Sequence, residues 1–233
     1  MCHNPGSMTR FLLAGFLAAQ AFGFQAAVAT APGIHPVSGR RFAQVMGMGG
    51  APWLVRDERI EEEDPDRAID ELKLKPGMTV ADVGAGVGYM SQRMAKKVGP
   101  SGKVFANDLQ PEMLVKLREN MAKAKLTNVI PVQGEVSSTH LPAQAMDLIL
   151  LEDVYHELSE PQIMLRQLRE ALKDDGRLVL LEYRKEDPKV PIREEHKMSV
   201  AEVRLELEAE GFRLSQVIES LPRQHILILT KAK

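Results

Sequence analysis

A glycine-rich stretch follows the first buried apolar run of the chain, and its residue types suit the binding of a nucleotide-like cofactor. Asp82 precedes three glycines spaced two apart: Gly84, Gly86 and Gly88. Glycine lets the backbone approach a ligand closely because it has no Cβ. A pyrophosphate-binding loop has the pattern G-x-G-x-x-G, whose third glycine is replaced here by Tyr89. An acidic residue before the loop suits a positive ammonium group, so the pattern favours a cofactor without phosphate.

Reactive side chains also follow the continuous apolar run at 146–151. Glu152, Tyr155 and His156 come after it in that order. His156 could serve as a general base near neutral pH, and Tyr155 could shape a pocket for a second substrate. The alternative for His156 is a packing role beneath a loop.

A later set of titratable residues, at 182–184 and 194–197, includes His196. At the same sheet edge this set would form a substrate rim, and the alternative is an exposed loop. No combination of Cys, His and Asp has the spacing of a metal site, so the sequence predicts no metal ion.

Strand and helix patterns alternate from residue 65 onward, and this order positions the reactive residues. After a first helix capped by Asp64, five strands are predicted at 79–83, 103–107, 129–133, 146–151 and 176–183. Further helices are predicted at 91–98, 111–124, 161–173 and 199–210. Two final strands, at 212–219 and 225–230, are too close for a crossover helix and predict an antiparallel hairpin. The fold class is therefore α/β, with a doubly wound, mostly parallel sheet that binds ligands at the carboxyl ends of its strands.

Taken together, these motifs resemble the class I S-adenosyl-L-methionine-dependent methyltransferases, specifically the small methyltransferase-domain type. VADVGAGVGY matches the first motif of that family, and MDLILLEDVYHEL matches the fourth. LKDDGRLVLLEY departs from the family only in a turn, where Asp174 and Asp175 replace the usual Pro-Gly. The resemblance covers the chain from Pro65 onward. It implies a Rossmann-like fold with seven strands and S-adenosyl-L-methionine as cofactor.

The resemblance also implies which residues contact that cofactor. Asp108 would hold both ribose hydroxyls, because a carboxylate offers a pair of acceptors. Leu109 would lie against the adenine, Glu135 would accept from its amino group, and the backbone of Val136 would meet a ring nitrogen. The remaining cofactor-binding residues would be Asp82, Gly84, Ala85, Gly86, Gly88, Tyr89 and Glu152. Taken singly, Asp82, Asp108 and Glu135 could each instead cap a helix or brace a loop.

Composition limits the classes of partner. Thirty basic residues against 32 acidic ones leave a net charge of -2, so no polyanion-binding surface is implied. The Asn-Pro-Pro-Tyr type motif of amino-directed DNA methyltransferases is absent at 152–155. The expected partner is a small-molecule methyl acceptor, not a nucleic acid. The single cysteine, Cys2, excludes an internal disulfide framework. Neither the acceptor nor the oligomeric state follows from the sequence.

The N-terminal residues 1–31 contain a nearly uncharged run that ends in the small-x-small pattern of Ala27 to Ala29. A basic residue, an apolar core and a small-residue exit are typical of an export signal. The alternatives are an uncleaved membrane anchor and a start site further along the chain. Export would place the protein in the periplasm, an anchor would place it at a membrane, and a later start would leave it in the cytoplasm.

Residues 32–64 are predicted as a linker or lid ahead of a methyltransferase domain at 65–233. The charged run that follows Trp53 is interpreted first as a solvated helix face, and second as part of a lid over the glycine loop. Two other functions remain open. One is a non-catalytic module that binds S-adenosyl-L-methionine, and the other is an NAD-dependent oxidoreductase, which Tyr89 disfavours.

Overall fold

The computed structural model describes Met1 and residues 33–233. Apart from Met1, the predicted export signal or anchor at 1–31 lies outside the described residues and stays a prediction. Among the described residues, no helix combines the length and the apolar character needed to span a membrane.

One mixed sheet of eight strands forms the centre of the described part of the chain. Its order is β3-β2-β1-β4-β5-β8-β7, and the short β6 pairs with β5. The strands are β1 (Thr79–Val83), β2 (Lys103–Asp108), β3 (Val129–Gln133), β4 (Met146–Glu152), β5 (Leu172–Arg184), β6 (Lys197–Met198), β7 (Phe212–Ile218) and β8 (Gln224–Lys231). β1 to β6 pair in parallel, whereas β8 is antiparallel to both β5 and β7. The predicted mostly parallel sheet with a C-terminal antiparallel hairpin is confirmed.

Seven helices of the described residues connect these strands or precede them. They are α1 (Ala51–Leu54), α2 (Arg59–Glu62), α3 (Pro65–Glu71), α4 (Tyr89–Val98), α5 (Pro111–Lys123), α6 (Pro161–Ala171) and α7 (Val200–Glu208). From β1 the chain runs outward to β2 and β3, then returns to add β4 on the other side of β1. This reversal opens a crevice between the carboxyl ends of β1 and β4, where ligands of such sheets bind.

Strand β4 shows why a continuous apolar run fits this position. Ile149 and Leu151 pack into the core layer that contains Leu165 and Leu168 of α6. Leu148 and Leu150 pack into the opposite layer, beneath α4. Because helices cover both faces, neither set of alternating side chains meets water. Each buried leucine or isoleucine contributes roughly 1.5–3 kcal/mol, which fixes the strand end that carries Glu152.

Two helix starts follow the predicted capping chemistry. The side chain of Asp64 accepts a hydrogen bond from the backbone N–H of Arg67, and Pro65 opens α3. Ser199 and Glu202 form a reciprocal capping box at α7.

The structure adds three short elements that have no predicted bounds, α1, α2 and β6, and it shifts the boundary between α6 and β5. The predicted helix at 161–173 ends at Ala171, and β5 begins at Leu172 instead of near 176. Met146 pairs with Leu172 and Leu148 with Arg177, so the irregular register absorbs the charged residues between them. Gly176 permits this, because a Cβ there would lie 2.7 Å from the carbonyl oxygen of Met146. Long-range pairing with β4 therefore overrides the weak strand propensity of the local sequence.

Candidate active site

A cavity of about 700 Å³ opens at the carboxyl ends of β1, β2 and β4. Its floor is formed by the strand ends and the glycine loop. The N-terminal side contributes Gln44, Val45, Met46, Trp53, Leu54, Arg56, Arg59 and Glu63 to its lining, and the segment after β5 contributes Pro191, Ile192, Arg193 and His196. This volume lies within the range of small-molecule and cofactor sites.

The glycine loop reaches the cavity through two of its three glycines. Gly84 and Gly86 line it with φ values of 76° and 52°, a left-handed region that suits glycine. The N–H groups of Gly84 and Ala85 both donate to the carbonyl oxygen of Asn107 at 2.9 Å, which ties the loop to β2. Ala85 lines the cavity as well.

Gly88 does not line this cavity, although it was predicted to bind the cofactor. It precedes α4, and a Cβ there would lie 2.9 Å from side-chain atoms of Leu117 and Met121 in α5. Its place in the structure is explained by its positive φ of 86° and its close approach to α5. Tyr89, the next residue, does line the cavity.

Two predicted carboxylates, Asp82 in β1 and Asp108 at the end of β2, line the cavity next to the loop. Asp82 is buried and accepts a hydrogen bond from Ser91 Oγ at 2.5 Å. Burial raises the pKa of Asp82 to about 7, even though the Ser91 hydrogen bond lowers it. Asp108 accepts from the backbone N–H of Gly86 at 2.7 Å and from that of Gln110 at 2.8 Å. Burial raises the pKa of Asp108 against the lowering effect of these hydrogen bonds.

Exposed apolar side chains flank the cavity beyond Asp108. Leu109 and Val136 are 40% and 48% exposed, and both line the cavity. Glu135 lies beside them with an exposed side chain 3.7 Å from His140 Nε2. Apolar surface next to a carboxylate suits a flat ring with a polar edge. The three residues predicted to contact adenine are therefore brought together at one end of the cavity.

Residues 33–64, called here the covering segment, lie over the cavity, with Met46 hydrogen-bonded to Gln110 beside Leu109 and Arg59 at the end of β4. Arg59 donates to Glu152 Oε1 and to the carbonyl oxygen of Leu54, at 2.8 and 2.7 Å, and forms an ion pair with Glu63. Arg59 and Glu63 are buried, so the predicted solvated helix face is wrong at these two positions. A Cβ on Gly86 would lie 2.8 Å from Leu54 Cδ1, so the covering segment lies directly against the glycine loop. This placement favours the lid interpretation.

Two further carboxylates at the end of β4 line the cavity. Burial raises the pKa of Glu152, while Arg59 lowers it, and burial raises the pKa of Asp153 well above its usual value. Asp153 accepts from Gln224 Nε2 at 2.8 Å through one oxygen, and the other has no hydrogen-bond partner among the described residues. Asp153 has a φ of 51°, a strained conformation for a residue with a Cβ. This end of the cavity is therefore acidic, which suits a cationic ligand.

The residues after β4 form a 3-10 turn, Tyr155–Glu157, that separates the two predicted catalytic side chains. Successive side chains in such a turn point about 120° apart. His156 lines the cavity, whereas Tyr155 is fully buried and does not line it. The hydroxyl of Tyr155 lies 3.5 Å from His35 Nε2, and Arg40 stacks over its ring. The predicted role of Tyr155 in shaping the acceptor pocket therefore does not match its position.

His156 is held at Nδ1, which lies 2.6 Å from Glu182 Oε2. The other oxygen of Glu182 accepts from the backbone N–H of Tyr155 at 3.0 Å. His156 Nε2 lies 3.2 Å from Nδ1 of His196. Burial and the neighbouring His156 lower the pKa of His196. Of the two interpretations of the segment at 194–197, the substrate rim therefore fits His196.

Sequence reasoning missed the contribution of Glu157. Burial raises the pKa of its carboxyl to about 7. Ligand atoms of His156, Glu157 and His196 all lie within 4.8 Å of one another, although the sequence spacing predicted no metal site. The sequence pattern does not show that β6 pairs with β5 at Tyr183. This pairing brings the turn that contains His196 alongside the turn at 155–157.

Residues 74–220 match the model of a family described as "Methyltransferase domain". The chain belongs to this methyltransferase family. Its structure is similar to that of an adenosylmethionine-dependent methyltransferase from Aquifex aeolicus, with 33% identity and a TM-score of 0.75. That similarity covers 79% of this chain and 98% of the Aquifex chain.

Curated relatives match a shorter part of the methyltransferase. The protein-L-isoaspartate O-methyltransferase of Methanothrix thermoacetophila is 33% identical over 111 residues, which are 48% of this chain and 50% of that protein. The ubiquinone/menaquinone biosynthesis C-methyltransferase UbiE of Salmonella arizonae is 30% identical over 118 residues, or 50% of this chain and 47% of that protein. The chain thus spans about half the length of these relatives.

The cofactor of this methyltransferase is S-adenosyl-L-methionine, and the cavity fits it on three observations. Asp82 offers a buried carboxylate for a cationic end. Asp108 retains a free lone pair on each oxygen beyond its two backbone hydrogen bonds. Leu109 and Val136 expose apolar surface to the cavity. Ten of the eleven predicted cofactor residues line this one cavity, and Gly88 is the exception.

Proposed function

We propose that this methyltransferase methylates a small molecule that enters the cavity beside His156. One observation carries the proposal. A single cavity is lined by the predicted cofactor residues at the ends of β1, β2 and β3, by His156 after β4, and by His196 just before β6. Cofactor and acceptor can therefore meet inside it.

The cofactor supplies an electrophilic methyl group on a sulfonium ion. In the proposal, Asp82 holds the ammonium end, Asp108 holds the ribose hydroxyls, and Leu109 with Val136 contacts the adenine. These residues fix the position of the methyl group, which is the main contribution an enzyme can make to an in-line displacement.

A small acceptor is favoured because the covering segment restricts access. Met46, Trp53 and Leu54 line the cavity from one side, and Arg193 lines it from the segment before β6. A folded protein or a duplex would have to displace these residues. His156 would act on the acceptor through Nε2, since Nδ1 is engaged by Glu182, and the acceptor would take the place of His196 Nδ1 as the partner of Nε2.

The test combines binding with turnover. Calorimetry with S-adenosyl-L-methionine, its demethylated product and NAD should give binding of the first two and none of the third. Release of demethylated cofactor is then measured against a panel of phenols, thiols, amines and carboxylates. Binding without turnover on any acceptor would favour the non-catalytic module, and preferential binding of NAD would overturn the proposal.

A further inference from the structure

Two histidines and a glutamate from separate turns converge at the acceptor end of the cavity. His156 and Glu157 belong to the 3-10 turn after β4, and His196 ends a second 3-10 turn, Glu194–His196, just before β6. Their ligand atoms lie within 4.8 Å of one another, and all three residues line the cavity.

The spacing of the two imidazoles matches that of ligands sharing one ion. Zinc binds imidazole nitrogen at about 2.0–2.1 Å, so two nitrogens in a tetrahedral site lie roughly 3.3 Å apart. His156 Nε2 and His196 Nδ1 are 3.2 Å apart. As they stand, His196 Nδ1 donates to His156 Nε2, and with an ion bound between the two nitrogens His196 would carry its ring proton on Nε2 instead. Little movement of either ring is needed, while Glu157 would adjust its rotamer.

The surroundings of His156 are those of a metal-binding histidine. Its Nδ1 donates to Glu182 Oε2 at 2.6 Å, which leaves the lone pair on Nε2. A ligating histidine almost always donates its other ring N–H to a carboxylate, a backbone carbonyl or water, which fixes the ring and its tautomer. The backbone is also fixed, since the His156 carbonyl oxygen accepts from the N–H of Ala43 at 3.0 Å and from Arg40 at 3.1 Å.

We propose that His156, Glu157 and His196 bind a divalent transition-metal ion of the zinc class, with an open coordination position facing the cavity. Two histidines and one glutamate are the protein ligands of a common kind of catalytic zinc site, in which the fourth position is left for water or substrate. The role of the ion rests on the proposed function: it would select acceptors that carry an oxygen or sulfur donor atom, because such atoms are good ligands for this class of ion.

The first test is a calorimetric titration of the full chain with zinc chloride, without cofactor. One ion per chain is expected. Loss of a ligand in His196→Ala or Glu157→Gln should weaken binding by at least ~100-fold, beyond the 10–100-fold that loss of a supporting carboxylate costs. In Glu182→Gln, binding should weaken by only about 10–100-fold.

Two control variants distinguish this site from other side chains of the protein that could bind zinc. His140→Ala removes an exposed histidine that also neighbours a glutamate, and a Cys2→Ser/His3→Ala double variant removes donor groups near the N-terminus. Both should bind zinc as the original protein does. Zinc should also raise the thermal midpoint of the original protein and not that of His196→Ala, while circular dichroism confirms that the variant is folded.

Cobalt(II) provides a spectroscopic measurement that does not depend on activity. The original protein should show the visible absorption of a four-coordinate cobalt site, and Glu157→Gln should lose it. No binding, or equal binding by His196→Ala and the original protein, would overturn the inference and leave a hydrogen-bonded histidine pair. S-adenosyl-L-methionine affinity is measured on the same samples, so failure of the metal site is distinguishable from failure of the proposed function.

Discussion

Replacement of Asp108 by asparagine tests the assignment of the cofactor site most directly. In the structure one oxygen of Asp108 accepts from the N–H of Gly86 and the other from that of Gln110. Asparagine has one acceptor oxygen, so one of these N–H groups would face an amide NH₂ group. The same change removes one of the two acceptors proposed for the ribose hydroxyls.

The magnitude follows from the hydrogen bonds. A hydrogen bond to a charged group contributes roughly 1.5–3 kcal/mol. Loss of one such bond in the ligand-free protein should lower the free energy of unfolding of Asp108→Asn by about that amount. Loss of a second hydrogen bond, the one to a ribose hydroxyl, should raise the Kd for S-adenosyl-L-methionine by roughly 10- to 150-fold, because each 1.4 kcal/mol changes the Kd by a factor of ten.

Calorimetry gives the Kd, and urea denaturation gives the free energy of unfolding. Asp147→Asn is the matched control, since Asp147 also accepts from a backbone N–H, that of Thr79 at 2.7 Å, and from Lys173. Asp147 lies near the start of β4, at the end remote from the cavity. At a rise of 3.3 Å per residue, it is about 16 Å from Glu152. This control should lose stability and keep its cofactor affinity. A folded Asp108→Asn protein with a Kd within twofold of the original would refute the ribose assignment.

Three further predictions concern the same cavity. The pKa of Asp82 is raised to about 7 in the folded protein, so the stability that its bound proton contributes is lost as the pH rises from about 4 through 7. Affinity for the cationic cofactor should increase over the same ionisation. Binding titrations between pH 6 and 8 should show this increase, and Asp82→Asn should abolish it. Gly84→Ala should lower the free energy of unfolding, measured in urea, by more than Gly39→Ala does. Both glycines have a φ near 75°, but only at position 84 would the new Cβ lie against another side chain. Equal losses of stability would contradict this explanation. Arg59→Ala should cost about 3–5 kcal/mol of stability and weaken cofactor binding, because it leaves the Glu152 carboxylate without its ion-pair partner and leaves Glu63 with only Arg56 and Tyr183. Thermal melts that match the original protein would argue against a structural role for the Arg59–Glu152 pair.

The parts of the fold that local sequence determines were predictable. β1 and β3 have the predicted bounds, because each is a short apolar run between turn residues. The glycine loop and Asp108 follow strand ends, and parallel strands bring their carboxyl ends to one edge of a sheet. Most of the cofactor end of the cavity could therefore be placed from spacing and resemblance.

The acceptor end depends on contacts that no local pattern encodes. Arg59 reaches Glu152 across 93 positions of sequence, and His196 reaches His156 across 40. Both contacts need the covering segment or β6 to return to the sheet edge, and neither element carries a strong periodic pattern. Tyr155 shows the same limit, because a 3-10 turn turns its side chain away from that of its neighbour.

The two roles open to His156 exclude each other. Its Nδ1 is engaged with Glu182, so only Nε2 can act on the acceptor, and coordination of an ion uses that same lone pair. With an ion bound, the acceptor would lose its proton because the ion lowers the pKa of a coordinated hydroxyl or thiol, and no free imidazole would be required. Removal of metal by a chelator should then abolish turnover and leave the affinity for S-adenosyl-L-methionine unchanged. Turnover that survives complete removal of metal would instead make His156 the general base.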